Sequence, residues 1–102
     1  MDNYLNQLFE DFKTGKRELF FIANKDEKNG ESIYRFILIK DKDGFDAIVA
    51  WENKDGAEKV WADSDLDKSL YKVYSVSGTD FGKYMQRLSP ERRQRIHIKF
   101  AK

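Results

Sequence analysis

Cysteine is absent from the 102 residues, and histidine and proline occur once each, as His97 and Pro90. Without a thiol there is no disulfide, no cysteine nucleophile, no iron–sulfur ligation and no cysteine-bound zinc. One histidine and no cysteine leave too few soft donors for a transition-metal site. The longest apolar blocks run to about five residues, far short of the roughly 20 that a helix needs to cross a bilayer. Met1-Asp2-Asn3 carries neither the basic flank nor the apolar stretch of a secretion signal, so a cytoplasmic location is expected. Catalytic signatures are missing too: there is no glycine-rich phosphate loop, no Gly-x-Ser-x-Gly elbow and no His-Glu-x-x-His helix.

What is present suffices for a core. Hydrophobic residues make up 40% of the chain and aromatics 15%, and each fully buried large side chain contributes roughly 1.5–3 kcal/mol. The 36% charged fraction is interspersed with apolar residues, unlike the composition of disordered chains. The length fits one domain over residues 1–102.

The net charge of +1 conceals a separation. Residues 41–67 hold nine carboxylates against three lysines, a balance of −6. Residues 83–102 hold seven bases (Lys83, Arg87, Arg92, Arg93, Arg95, Lys99, Lys102) against Glu91 alone, a balance of +6. Such asymmetry steers charged partners without dictating a fold.

Asp2 is placed to cap a first helix carrying Leu5, Leu8, Phe9 and Phe12, with Gly15 as its stop. Leu19 to Ala23 reads as a strand, and Asn29-Gly30 as a turn. Ile33 to Lys40 is apolar on both faces, as a central strand would be. After the turn at Asp41-Lys42-Asp43-Gly44, residues Phe45 to Glu52 alternate as a third strand, completing an antiparallel meander. Asn53 is placed to cap a second helix with Ala57, Val60 and Trp61 on one face. Tyr71 to Val76 is a fourth strand. Ser77 or Thr79 caps a third helix bearing Phe81, Tyr84, Met85 and Leu88, which Pro90 ends near Ser89. Ile96, Ile98 and Phe100 alternate along a last strand. The expectation is an α+β fold, one layer of about five mainly antiparallel strands with three helices, in the order α-β-β-β-α-β-α-β.

Three segments also carry a likeness: Ala47-Ile48-Val49-Ala50-Trp51, then Ala57-Glu58-x-x-Trp61, then Ser77-Gly78-Thr79-Asp80-Phe81 before the terminal alternating strand. Over about residues 18–100 this resembles the N-terminal domain of the SseB (enhanced serine sensitivity) proteins and related small bacterial α/β domains. Where that pattern has Asn-Pro after the last strand, this chain has Lys99-Phe100. The resemblance implies a compact domain with a housekeeping or regulatory protein-binding role. In general character the chain is also similar to bacterial toxin-immunity proteins.

Among candidate sites, His97 falls on the polar face of the last strand with Lys99, as a surface histidine. Asp63-x-Asp65-x-Asp67 starts like a calcium loop, but Lys68 stands in place of the required glycine and Tyr74 in place of the bidentate glutamate. No pair of carboxylates is set apart by environment, as acid–base catalysis requires. No enzyme activity, cofactor or metal is therefore expected. Arg92, Arg93 and Arg95 would suit phosphates, making a nucleic-acid binder a third reading. The leading expectation is a non-catalytic inhibitor of immunity or antitoxin type, a monomer or weak dimer. It would mask a basic, nuclease-like toxin through Asp41, Asp43, Asp46, Glu52, Asp55, Asp63, Asp65 and Asp67, with Trp61 and Trp51 as anchors beside them if they are not core.

Overall fold

The computed structural model describes residues 3–40 and 42–101. Among them the chain forms an α+β fold with a six-stranded, mostly antiparallel sheet and four helices. Its centre is β1 (Leu19–Lys28), which reads apolar on both faces at its start. The second half of β1 pairs antiparallel with β2 (Glu31–Phe36). Asn29 (φ 54°) and Gly30 (φ 79°) form the two-residue turn between them. Left-handed backbone at both turn positions matches the twist of the flanking strands, and asparagine and glycine tolerate it best. The first half of β1 pairs antiparallel with β5 (Lys72–Val76).

A second hairpin joins β3 (Ile39–Lys40) to β4 (Asp46–Trp51). β4 touches β1 through Phe20↔Trp51 and runs parallel to β6 (Ile96–Ala101) along its whole length. The expected single strand from Ile33 to Lys40 is therefore two, and it is not central. Because β5 occupies one edge of β1 as far as Ala23, β2 and β4 must share the other. β2 runs out of partner at Ala23, and the chain transfers at Ile37-Leu38 to pair with β4 instead. The arrangement is two hairpins rather than a simple meander.

Side chains leave a strand alternately on opposite faces, so the sheet builds two cores. Leu19, Phe21, Ala23, Ile48 and Ala50 face α1 (Asn3–Lys13) and α3 (Gly78–Gln86). Ile22 and Trp51 face α2 (Lys54–Asp63), where Ala57 is fully buried against them. On the first side the aromatic rings interlock: Phe81 lies 5.7 Å from Phe12 and 5.6 Å from Phe21, and Phe36 lies 4.9 Å from Phe21. Such pairs add about 0.5–1.5 kcal/mol each beyond area burial. Gly78 lets α3 approach α1: a Cβ there would overlap the Phe12 carbonyl oxygen and stand 3.0 Å from Lys13 Cα.

Ser77 is the cap of α3, its hydroxyl accepting from the Asp80 N–H at 3.2 Å. That helix ends at Gln86, and Pro90 does not follow it as a mere stop. It opens the short α4 (Pro90–Gln94), whose cap Ser89 accepts from the Arg92 N–H at 3.3 Å. Proline suits a first helical position because the N–H it lacks would have no partner there. Asn53 holds the cap position of α2 but makes no capping bond with its side chain, while the Asp2 cap lies outside the described residues. No helix among the described residues is long and apolar enough to cross a membrane.

Candidate functional site

Tracing the eight acids and two tryptophans expected to bind a partner shows which of them the fold gathers. Along β4, Ile48 and Ala50 point into the α1/α3 core, and Val49 and Trp51 into the α2 core. By that alternation Asp46 points to the α1/α3 side. There Tyr84 feels both Arg92 and Asp46, though it is mainly burial that raises its phenol above the ordinary value. Glu52 lies six positions further, roughly 20 Å along an extended chain. Its carboxylate is spoken for, since Arg17 Nη2 donates to it at 3.1 Å and the Tyr4 hydroxyl also donates to it. With its side chain only 10% exposed, Glu52 presents little charge to a partner.

Asp55 sits in the first turn of α2, where a carboxylate complements the free N–H groups. Eight steps along the helix, about 12 Å, then separate it from Asp63 at the far end. Asp63, Asp65 and Asp67 are all exposed. Asp67 is turned inward on its own loop, accepting from the Ser69 hydroxyl at 2.6 Å and the Ser69 N–H at 2.9 Å. Those bonds hold its carboxyl below the usual range. Asp43 is exposed in the turn before β4, and Asp41 lies outside the described residues. The seven described acids do not form one surface.

Both tryptophans belong to the α2 core. Trp51 is buried, and Trp61 is half-buried, its indole N–H donating to the Tyr71 carbonyl at 2.6 Å. Lys68 Nζ stands 5.3 Å above the Trp61 ring and donates to the Ser64 carbonyl at 2.7 Å. That lysine and the indole hydrogen bond fix the loop carrying Asp65 and Asp67 to the end of α2, where Asp63 lies.

The side chain that the sequence misplaces is Val60. It was expected on the buried face of α2 with Ala57 and Trp61, but it is 48% exposed. With Ile39, itself 54% exposed, it opens onto a cleft of about 400 Å³ walled by Ile37, Val49, Trp51 and Leu66 and bordered by Asp65. The β3–β4 turn carrying Asp43 starts just beyond Ile39. The structure thus sets Asp65 beside apolar walls, while placing Asp46 on the other side of the sheet and pairing Glu52. A helix turn with both Val60 and Trp61 carried the signal, since adjacent positions point about 100° apart and cannot share a narrow face.

His97 is exposed on β6, its ring 4.6 Å from that of Phe45 in an edge-on contact. Arg92, Arg93 and Arg95 are exposed on and just after α4, with Arg93 Nη2 donating to the Leu88 carbonyl at 3.0 Å. Lys83 and Arg87 stand 3.7 and 4.0 Å from the Glu31 carboxylate, tying α3 to β2. No protein-family model matches the chain, and no curated protein or solved structure matches it significantly.

Proposed function

We propose that this chain is a non-catalytic protein-binding domain, an inhibitor of immunity or antitoxin type that masks a basic toxin surface. The observation that carries this reading is the cleft between α2 and the β3–β4 hairpin. Exposed apolar side chains, Ile39 and Val60, flank a cleft whose border is acidic at Asp65. Apolar contacts of that kind supply affinity at the centre of an interface, where water is excluded. Carboxylates near such a cleft, here Asp65 at its border with Asp63 at the end of α2 and Asp43 in the turn before β4, speed encounter with a basic partner and disfavour acidic ones. The contribution of Glu52 is instead structural, through Arg17.

The test is functional rescue. The protein, used as bait in its native host, should capture a basic protein that is toxic when expressed alone. Co-expression of the wild-type chain should abolish that toxicity. Asp63→Lys with Asp65→Lys should weaken affinity for the purified toxin at least about tenfold and flatten its dependence on salt. Equal rescue and an unchanged salt slope in the double variant would remove the basis of the proposal.

A further inference from the structure

The last strand offers a second surface, on the opposite side of the sheet from the acidic cleft and independent of it. β6 pairs with β4 alone among the described residues, so one edge of it is unpaired. The ladder settles which groups lie on that edge. The Asp46 N–H donates to the Arg95 carbonyl at 2.8 Å, and the Glu52 N–H to the Ala101 carbonyl at 3.4 Å. In a parallel ladder the backbone of alternate residues turns to the same side. The odd-numbered residues from Arg95 to Ala101 therefore bond toward β4, and the N–H and C=O of Ile96, Ile98 and Phe100 point away from the sheet.

The same three residues send their side chains to the α1/α3 side, where they are only partly covered. Together with Leu5, Phe9 and Met85 they line a groove of about 680 Å³ that runs beside the unpaired edge. An edge guarded only against aggregation needs a charge such as Lys99 and no more. Here the open backbone adjoins an apolar trough, which is the combination that strand addition uses: main-chain bonds for affinity and pockets for alternate side chains.

We infer that β6 and this groove receive an extended segment of a partner protein in which apolar and acidic residues alternate. One set of its side chains enters the groove over Phe9 and Met85. The other set emerges beside His97 and Lys99, which are exposed on the opposite face of β6. Arg95 adds positive charge at the start of the strand, so carboxylates are the complementary choice. A second copy of this chain fits poorly. Antiparallel pairing of β6 with itself about Ile98 would set Lys99 across from His97, leaving each Lys99 ammonium with no carboxylate opposite it, whereas opposite charges are what stabilise a cross-strand pair.

The probe is a capped peptide of about seven residues alternating glutamate and isoleucine, with a lysine–isoleucine peptide as its counterpart. Hydrogen exchange on the full chain reads the result. In the free protein the amides of Ile96, Ile98 and Phe100 should exchange faster than those of His97 and Lys99. Saturation with the glutamate peptide should protect those three. Lys99→Glu, a surface change whose fold is checked by its melting curve, should weaken the glutamate peptide about tenfold and improve the lysine peptide. Asp63→Lys with Asp65→Lys should leave both affinities unchanged, which separates this surface from the acidic cleft. Binding without protection at the three amides overturns the inference, as does no binding at millimolar peptide or equal affinity for the two peptides. Protection already present in the free protein, with a dimer by sedimentation, would assign the edge to a second copy instead.

Discussion

The two sides of the sheet are built to different standards. Toward α1 and α3, eleven buried residues form one cluster, four of them phenylalanines in mutual contact. Toward α2 the buried set is three residues, Ile22, Trp51 and Ala57, and the rest of that layer is only partly covered. The contrast places most of the stabilising burial on the first side. It also frees the second to carry exposed Val60 and Ile39 beside a cleft, since binding residues are best held on a scaffold that other contacts keep rigid.

The sharpest way to break this comparison is to remove one side chain from each layer. Phe21 is completely buried among Phe12, Phe36 and Phe81. Phe21→Ala should cost about 3–5 kcal/mol in urea denaturation, through lost transfer energy and a cavity that neighbouring rings cannot fill. Val60→Ser on the α2 side should stay within about 0.5 kcal/mol, because the side chain is half in water already. Comparable losses at both positions would mean that α2 is as stabilising as its opposite layer.

A smaller effect probes the seam between α1 and α3. Gly78→Ala should cost about 1–3 kcal/mol, because the methyl group meets backbone at Phe12 and Lys13 and neither can rotate away. Gly82, one turn along the same helix, has open space where its Cβ would be. Gly82→Ala should therefore stabilise by up to about 1 kcal/mol, reflecting helix propensity alone. Opposite signs at two glycines of one helix would locate the constraint in the close approach and not in α3 itself.

Much of this contrast was legible in the sequence, and the failures have a common physical origin. Local chemistry announced Asn29-Gly30, Ser77 and the alternation of Ile96, Ile98 and Phe100, and each of these holds. The break at Ile37-Leu38 was invisible because it depends on β4 reaching the same edge of β1, a contact between Phe20 and Trp51 that are 31 positions apart. For the same reason a run of acids in sequence did not become a patch in space. Strand alternation turned Asp46 to the other side, and Arg17, 35 positions earlier, neutralised Glu52. Periodicity reports which face a residue occupies, but only long-range pairing decides what that face meets.

The least effect expected, and one confined to the α1/α3 side, comes from pH. Tyr34 and Tyr84 both border that core, and burial raises both phenols above their ordinary value of 10.0. For Tyr34 the Lys25 ammonium opposes this, standing 5.7 Å from the ring; for Tyr84 Arg92 does the same. A phenol whose ionisation is harder in the folded chain than in the unfolded one gives stability that is complete below pH 10. It is lost as the pH climbs through the raised folded value, because the unfolded state releases its proton first. Unfolding free energy should thus fall on the alkaline side of pH 10, accompanied by loss of near-ultraviolet signal from the aromatic cluster. Tyr34→Phe with Tyr84→Phe should shift that decline to higher pH, since phenylalanine keeps the ring and removes the proton. An unshifted decline in the double variant would place its source outside these two tyrosines, and the α1/α3 core would then be indifferent to alkali.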